Sequence, residues 1–145
     1  MGMIIMAVDY GDARTGIAIC DHFEMLASPV CVIHETNAKK LIDQISAIAA
    51  EKIVELIVVG HPKNMDSSEG NRARKSADFA RTLEEKTGIK AVLWDERLST
   101  VSANHALNAT NTRGKKRKAI IDAVAATIIL QDFLSFRRMS NAKQL

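Results

Sequence analysis

The chain is poor in the residues that build disulfide, zinc and base-stacking sites. Its 145 residues contain two cysteines, Cys20 and Cys31. Neither has a His or Cys partner at ligand spacing, which argues against a disulfide scaffold and against a zinc site. Both lie in apolar, strand-like runs and read as buried free thiols. One Trp, one Tyr and four Phe are spread along the sequence, so stacking on bases is not expected to dominate nucleic-acid recognition, and sequence preference should be modest. No apolar stretch reaches the roughly 18 residues of a membrane span, and the N-terminus enters a strand-like run without a charged leader or cleavage site. A cytoplasmic protein is expected. The net charge of +3 and the pI near 9.0 are small leanings toward polyanions, with weight only where basic residues cluster.

What is present is enough apolar residue, 47% of the chain, to fill one core. We expect one domain over residues 1–137 and a short polar tail over 138–145. Met3 to Val8 is apolar on both alternating faces, the pattern of a central strand, and stops at Asp9-Tyr10-Gly11-Asp12. Thr15 to Cys20 follows at hairpin distance and should run antiparallel to it, with a third strand over Ser28–Ile33. Behind a Thr36/Asn37 cap the period becomes helical to about Lys52, and Leu56–Val59 then reads as a buried strand ended by Gly60-His61-Pro62. Strand, helix, strand demands a parallel, right-handed crossover. Asp66 to Glu69 offers cap chemistry for a second helix carrying Ala73, Ala77, Ala80 and Leu83 inward, with Gly88 as its stop. Ala91–Trp94 is a fifth strand, and Ser99 caps a short helix to Leu107. Residues 108–118 have little to bury and read as a mobile loop. A closing helix from about Arg117 to Phe136 carries Ile120, Ile121, Val124, Ala125, Ile128 and Ile129 on one half of its surface. The result is an α/β fold, a mixed five-stranded sheet with helices on both faces, in the element order of ribonuclease H-like proteins.

Three carboxylates stand where such a sheet collects ligands. Asp9 closes the central strand, Glu96 stands just beyond the fifth, and Asp122 lies one turn into the closing helix. Close carboxylates repel one another, so a hard cation, magnesium or manganese, is their natural occupant, with phosphate oxygens completing its coordination. Two such ions can activate water and stabilise a leaving oxygen. Each acid also has an ordinary explanation: Asp9 as a turn residue, Glu96 as a surface partner of Arg97, Asp122 as an i, i+4 partner of Lys118. Asp95 competes with Glu96, because successive strand residues point to opposite faces and one of the two should share the cleft of Asp9.

Four segments resemble the YqgF family over nearly the whole chain. They are Asp9-Tyr10-Gly11-Asp12-Ala13-Arg14-Thr15-Gly16, the run from Val59 to Gly70, Asp95-Glu96-Arg97-Leu98-Ser99-Thr100, and Ile121 to Ala126. The resemblance implies a ribonuclease H-like (RuvX-like) nuclease with catalytic, metal-holding acids at Asp9, Glu96 and Asp122, and Asp95 as a supporting residue. It also implies a role in maturing the 5′ end of 16S ribosomal RNA, or resolution of Holliday junctions. His61 stands where the family commonly has an apolar residue and Ser67 where it commonly has Gly. A strand-end His can be structural or can carry a proton to the site.

The candidate nucleic-acid contacts surround these acids. Gly11 and Gly16 let a phosphate backbone approach the Asp9 strand, or serve only the turn, and Arg14 lies between them. Asn64, Ser68, Asn71 and Arg72 stand where helix N-terminal N–H groups favour phosphate, with Arg97 and Ser99 as further candidates. Arg113, Lys115, Lys116, Arg117 and Lys118 form a basic run beside the helix of Asp122, able to draw in the polyanion that the acids repel. The leading expectation is a phosphodiester hydrolase acting on structured RNA, or on branched DNA, as a monomer or weak homodimer that can meet a pre-ribosomal particle. A non-catalytic nucleic-acid-binding module and an actin-like phosphate-loop ATPase are the alternatives, and the latter needs two such domains.

Overall fold

A computed structural model describes residues 2–63, 68–98 and 115–143, with side chains of the last segment described over 124–140. The strands are β1 (Ile5–Asp9), β2 (Arg14–Cys20), β3 (Ala27–His34), β4 (Leu56–His61) and β5 (Lys90–Asp95), and the helices α1 (Ala38–Glu51), α2 (Asn71–Thr87) and α3 (Lys115–Lys143). They form one sheet in the order β3-β2-β1-β4-β5. β1 pairs antiparallel with β2, and β2 with β3, while β4 and β5 run parallel to β1. The mixed sheet expected from the sequence is the sheet observed.

Each face of the sheet is covered by helix, and strand alternation sorts the residues. Ile5, Ala7, Ala18, Leu56, Val58 and Trp94 pack against α3 through Ala125, Ala126, Ile129, Leu130, Phe133 and Leu134. Met6, Val8, Ile17, Ile57 and Val59 pack the other way, against Leu41, Ile42 and Ile45 of α1 and Phe79, Ala80 and Leu83 of α2. Asn37 caps α1, its side chain accepting from the Lys40 amide, and Gly88 closes α2 in the left-handed conformation. No helix among the described residues is long and apolar enough to cross a membrane.

Several boundaries differ from expectation. β4 continues through Gly60 and His61, which pair with Trp94 and Asp95, and ends at Pro62, which has no N–H to donate. The N-cap of α2 is Gly70, which has no side chain to make a cap bond, and Glu69 before it bonds to His61. α3 begins at Lys115 and runs to Lys143, so Lys115, Lys116, Arg117 and Lys118 are helical and not loop, and the helix enters the expected tail. Lys and Arg are good helix formers, and an apolar stripe marks only the part of a helix that is buried. That stripe is also turned by about one residue: Val124 is exposed, and Ala126 and Leu130 are buried in its place. The short helix expected from Ser99 to Leu107 lies outside the described residues.

α3 is fastened at the far end of the sheet by a polar lock. Glu24, in the β2–β3 turn, accepts from Arg137 Nε at 2.7 Å and from the Met3 amide at 2.8 Å, while Arg138 donates to the Glu24 carbonyl. Burial pushes the Glu24 carboxyl up, but Arg137 and the Met3 amide outweigh it and hold the group below its ordinary value. A depressed folded-state pKa stabilises above the unfolded value and loses that contribution as pH falls through the folded one. Glu24→Gln should therefore cost about 1–3 kcal/mol at neutral pH, through the buried donors it leaves poorly satisfied. Denaturant titrations from pH 7 downward should show a smaller loss of stability below about pH 4.3 in the variant than in the parent protein. Parallel acid limbs would reject the lock.

Candidate active site

β1, β4 and β5 run parallel and end together, and the pleat decides what each end presents to each helix layer. Ile5 and Ala7 face α3, so Asp9, two residues further on, belongs to the same face. Asp9 is paired with Gly16 of β2. The Val8–Val59 pairing makes Gly60 its next neighbour on β4. Gly60 is in turn paired with Trp94, which faces α3, and Glu96 follows Trp94 by two residues. A Cβ on Gly60 would stand 3.2 Å from Glu96 Oε1 and 2.9 Å from Ile129 Cδ1. The Glu96 carboxylate thus lies against the bare backbone of β4, in a residue only 8% exposed. Asp9 is flanked by glycine on both neighbouring strands.

The other phase of the pleat carries a separate set of side chains on the α2 face. Tyr10 stacks on Phe79, ring centroids 4.1 Å apart. His61 is buried and holds Glu69 through Nε2 at 2.7 Å, which ties the end of β4 to the segment before α2. This is the structural role for His61, on the face opposite Glu96. Asp95 is gripped by Arg97, whose Nη2 donates at 2.6 Å and whose Nε donates to both carboxylate oxygens. The Arg97 guanidinium keeps the Asp95 carboxyl below the usual carboxylate range, against a smaller push from burial. The two neighbouring acids therefore divide: Glu96 belongs with Asp9, and Asp95 does not.

Asp122 lies in α3, four residues before the buried Ala126, and its side chain is outside the described residues. Among the described residues no three His, Cys, Asp or Glu side chains stand close enough to hold a metal. Of the candidate nucleic-acid contacts, Ser68, Asn71 and Arg72 are exposed around the start of α2. Arg14 opens β2 opposite His34. Lys115, Lys116, Arg117 and Lys118 form the opening turn of α3, while Asn64, Ser99 and Arg113 lie outside the described residues. Two residues were missed by sequence reasoning. Gly60 was read only as a strand stop, although a lone glycine in a strand often marks close approach of another group. Glu69, read as part of a helix cap, is the partner of His61.

The chain was compared with known proteins. The family model described as RuvX, Holliday junction resolvase, matches residues 3–136. A protein of Carboxydothermus hydrogenoformans named "Putative pre-16S rRNA nuclease" is 40% identical over 93% of this chain and 98% of its own length. One of the same name from Halothermothrix orenii is 44% identical over 93% of this chain and 96% of its own. Among solved structures, Thermus thermophilus RuvC in complex with a Holliday junction substrate superposes with a TM-score of 0.60 at 11% identity, covering 95% of this chain and 96% of RuvC. That likeness shows a shared fold.

The turn that delivers Asp9 is sterically tight. A Cβ on Gly11 would lie 2.3 Å from the Arg14 carbonyl oxygen, a backbone atom that can retreat only by opening the turn. The Gly11 amide also donates to the buried Thr15 hydroxyl at 3.4 Å. Gly11→Ala should lower stability by about 1–3 kcal/mol, the usual range for overpacking. Equilibrium denaturation measures this, and an unchanged midpoint would show that the turn is slack.

Proposed function

The chain belongs to the RuvX Holliday junction resolvase family, and from that membership we propose that it is a divalent-metal-dependent nuclease that matures precursor 16S ribosomal RNA. The observation that carries the reading is that Asp9 and a buried Glu96 belong to one face of the strand ends, beside Gly16 and Gly60. Burying a carboxylate near another is costly unless a cation or donor compensates, and all-oxygen donors suit magnesium or manganese. The donor set fits such an ion, with Asp9, Glu96 and Asp122 as the residues that would hold it. Asp122 is included because helical spacing relates it to Ala126 and Ile129 on the stripe that meets the sheet. When bound, the metal would supply Lewis acidity and a more acidic water for attack at phosphorus.

The remaining residues bind and orient. Gly16 presents no side chain beside Asp9, which lets a phosphate backbone approach that strand end. Exposed Asn71 and Arg72, with Ser68, stand at the N-terminus of α2, where free amides and the positive end of the helix favour phosphate. Gly11, Arg14, Asn64, Ser99 and Arg113 complete the proposed contact set, while the Arg97 guanidinium is engaged by Asp95. Lys115, Lys116, Arg117 and Lys118 add positive charge at the same end of α3 as Asp122. Such a substrate implies action in the cytoplasm.

Cleavage of precursor 16S RNA and of a four-way DNA junction, measured side by side, tests the reading. Asp9→Asn, Glu96→Gln and Asp122→Asn should fold and bind nucleic acid yet lose cleavage by at least about 100-fold, because the amide keeps the shape and removes the charge. Excess chelator should abolish turnover, magnesium or manganese should restore it, and calcium should support binding alone. Full activity in any of the three variants, or in chelator, rejects the site. Symmetric nicking of the junction by a dimer, with the RNA uncut, would move the substrate to branched DNA.

The basic turn of α3 should act through charge. If Lys115, Lys116 and Lys118 meet about three phosphates, replacing them together with Gln should flatten the log-log salt dependence of binding by roughly 2 to 3 units. Turnover at saturating substrate should change little, since charge steering acts before the transition state. An unchanged slope makes these residues a solvated helix end.

A further inference from the structure

We propose that Gly60 and the Asp95–Arg97 pair act as positioning residues for Glu96, one by leaving the space its carboxylate enters and the other by locking the turn that aims it. The inference rests on the reading of Glu96 as a metal-holding acid and assigns to neighbouring groups a task that none of them performs by touching substrate.

Glu96 is the first residue past the end of β5 and opens a 3-10 turn spanning Glu96–Leu98. Ladder pairing ends at Asp95, so Glu96 takes its face from the pleat but lies one residue past the last ladder pair. A further constraint comes from the residues on either side of it. Asp95 Oδ1 accepts from the Arg97 backbone N–H at 3.0 Å and from Arg97 Nε at 3.0 Å, while Oδ2 accepts from Nε at 3.1 Å and from Nη2 at 2.6 Å. Both the main chain and the side chain of Arg97 are thus tied to Asp95, and the backbone of Glu96 is the link closed between them. A bidentate guanidinium–carboxylate pair is planar and directional, so it fixes orientation as well as distance. The clasp lies on the α2 face and leaves the opposite direction to Glu96.

On that opposite side the limit is steric. The Glu96 carboxylate sits where a β4 side chain would begin: 3.2 Å for Oε1 and 3.4 Å for Cδ from a Cβ built on Gly60, with Ile129 Cδ1 at 2.9 Å. A methyl group there must displace the carboxylate, the isoleucine of α3, or both, by a few tenths of an ångström. Ile129 is fully buried, and its terminal methyl is the atom that can be removed to separate the two contacts.

The experiment reads manganese binding to the free protein by electron paramagnetic resonance, together with kcat, KM and denaturation midpoints. The variants are Asp95→Asn, Arg97→Lys, Gly60→Ala, Gly60→Ala/Ile129→Val and Glu96→Gln. Asp95→Asn and Arg97→Lys should remain folded, bind manganese several-fold more weakly and lose about ten-fold or more in kcat at unchanged KM, since small displacements of a reacting constellation are expensive. Gly60→Ala should show the same losses and a lowered midpoint. Adding Ile129→Val should recover the midpoint without recovering kcat or manganese affinity. Recovery of kcat together with stability would make Gly60 a packing residue and overturn its role. Wild-type manganese affinity and kcat in Asp95→Asn and Arg97→Lys would overturn the clasp, and these two variants decide the matter if Gly60→Ala does not fold. Glu96→Gln separates the levels: if it retains cleavage and manganese binding, the underlying site assignment fails and this proposal with it. If Glu96→Gln is inactive while the others match the parent, the positioning proposal alone fails.

Discussion

The alternation of a pleated strand, carried to the last residue of three parallel strands, is the constraint on which the rest of this molecule depends. In β1, β4 and β5 the terminal residues divide into two phases. Asp9, Gly60 and Glu96 belong to the face under α3, and Tyr10, His61 and Asp95 to the face under α2. A slip of one residue in any strand would exchange the two sets and place a histidine or an arginine-bound aspartate in the acidic cleft. The same slip would exchange Ile57 and Val59 with Leu56 and Val58, or Ile5 and Ala7 with Met6 and Val8, so both helix layers would have to repack against side chains of different shape. Core packing and site assembly are therefore one specification.

The two faces then have different tasks. On the α2 side the polar terminal groups close on partners within the protein: His61 on Glu69 and Asp95 on Arg97, with Tyr10 stacked on Phe79. Each contact joins a strand end to the chain that follows it or to a helix over it. On the α3 side the strand ends present glycine beside acid. One face carries partnered polar groups and the other glycine beside acid, and residues adjacent in sequence, such as Asp95 and Glu96, fall on opposite sides of that division.

Much of this was legible before the coordinates. The five strands, their directions and the presence of helices on both faces follow from hydrophobic period and connection length, and these survive because burial on both faces leaves a strong mark in Ile4 to Val8 and Leu56 to Val59. The choice between Asp95 and Glu96 was open on period alone, since a strand end can relax its pleat; the contacts put Glu96 against Gly60 and hold Asp95 in an ion pair with Arg97. The start of α3 was misread because helix formation by Lys115 to Lys118 has no apolar signature. The contact of His61 with Glu69 was illegible for a different reason. Glu69 follows His61 by eight residues, and no local rule predicts that a residue just before α2 will reach back to a strand.

α3 extends the argument from local geometry to the whole chain. It is held at one end of the sheet by Arg137 and Arg138 on the Glu24 turn, and near the other by Ile129 against the backbone of Gly60. Arg137 follows Ile129 by eight residues, about 12 Å of helix at the usual rise, and the stripe between them is fully buried at Leu130 and Leu134. A helix gripped this way has little freedom to slide along the sheet, since translation must break either the ionic lock or the close fit at Gly60. The bare backbone of Gly60 therefore serves two neighbours: it seats α3 through Ile129 and admits the Glu96 carboxylate from β5. Because Asp122 belongs to the same helix, whatever fixes α3 on β4 also fixes the main chain that carries Asp122. The far-end lock at Glu24 thereby bears on the placement of the whole helix, through a rigid element and without any direct contact with β4.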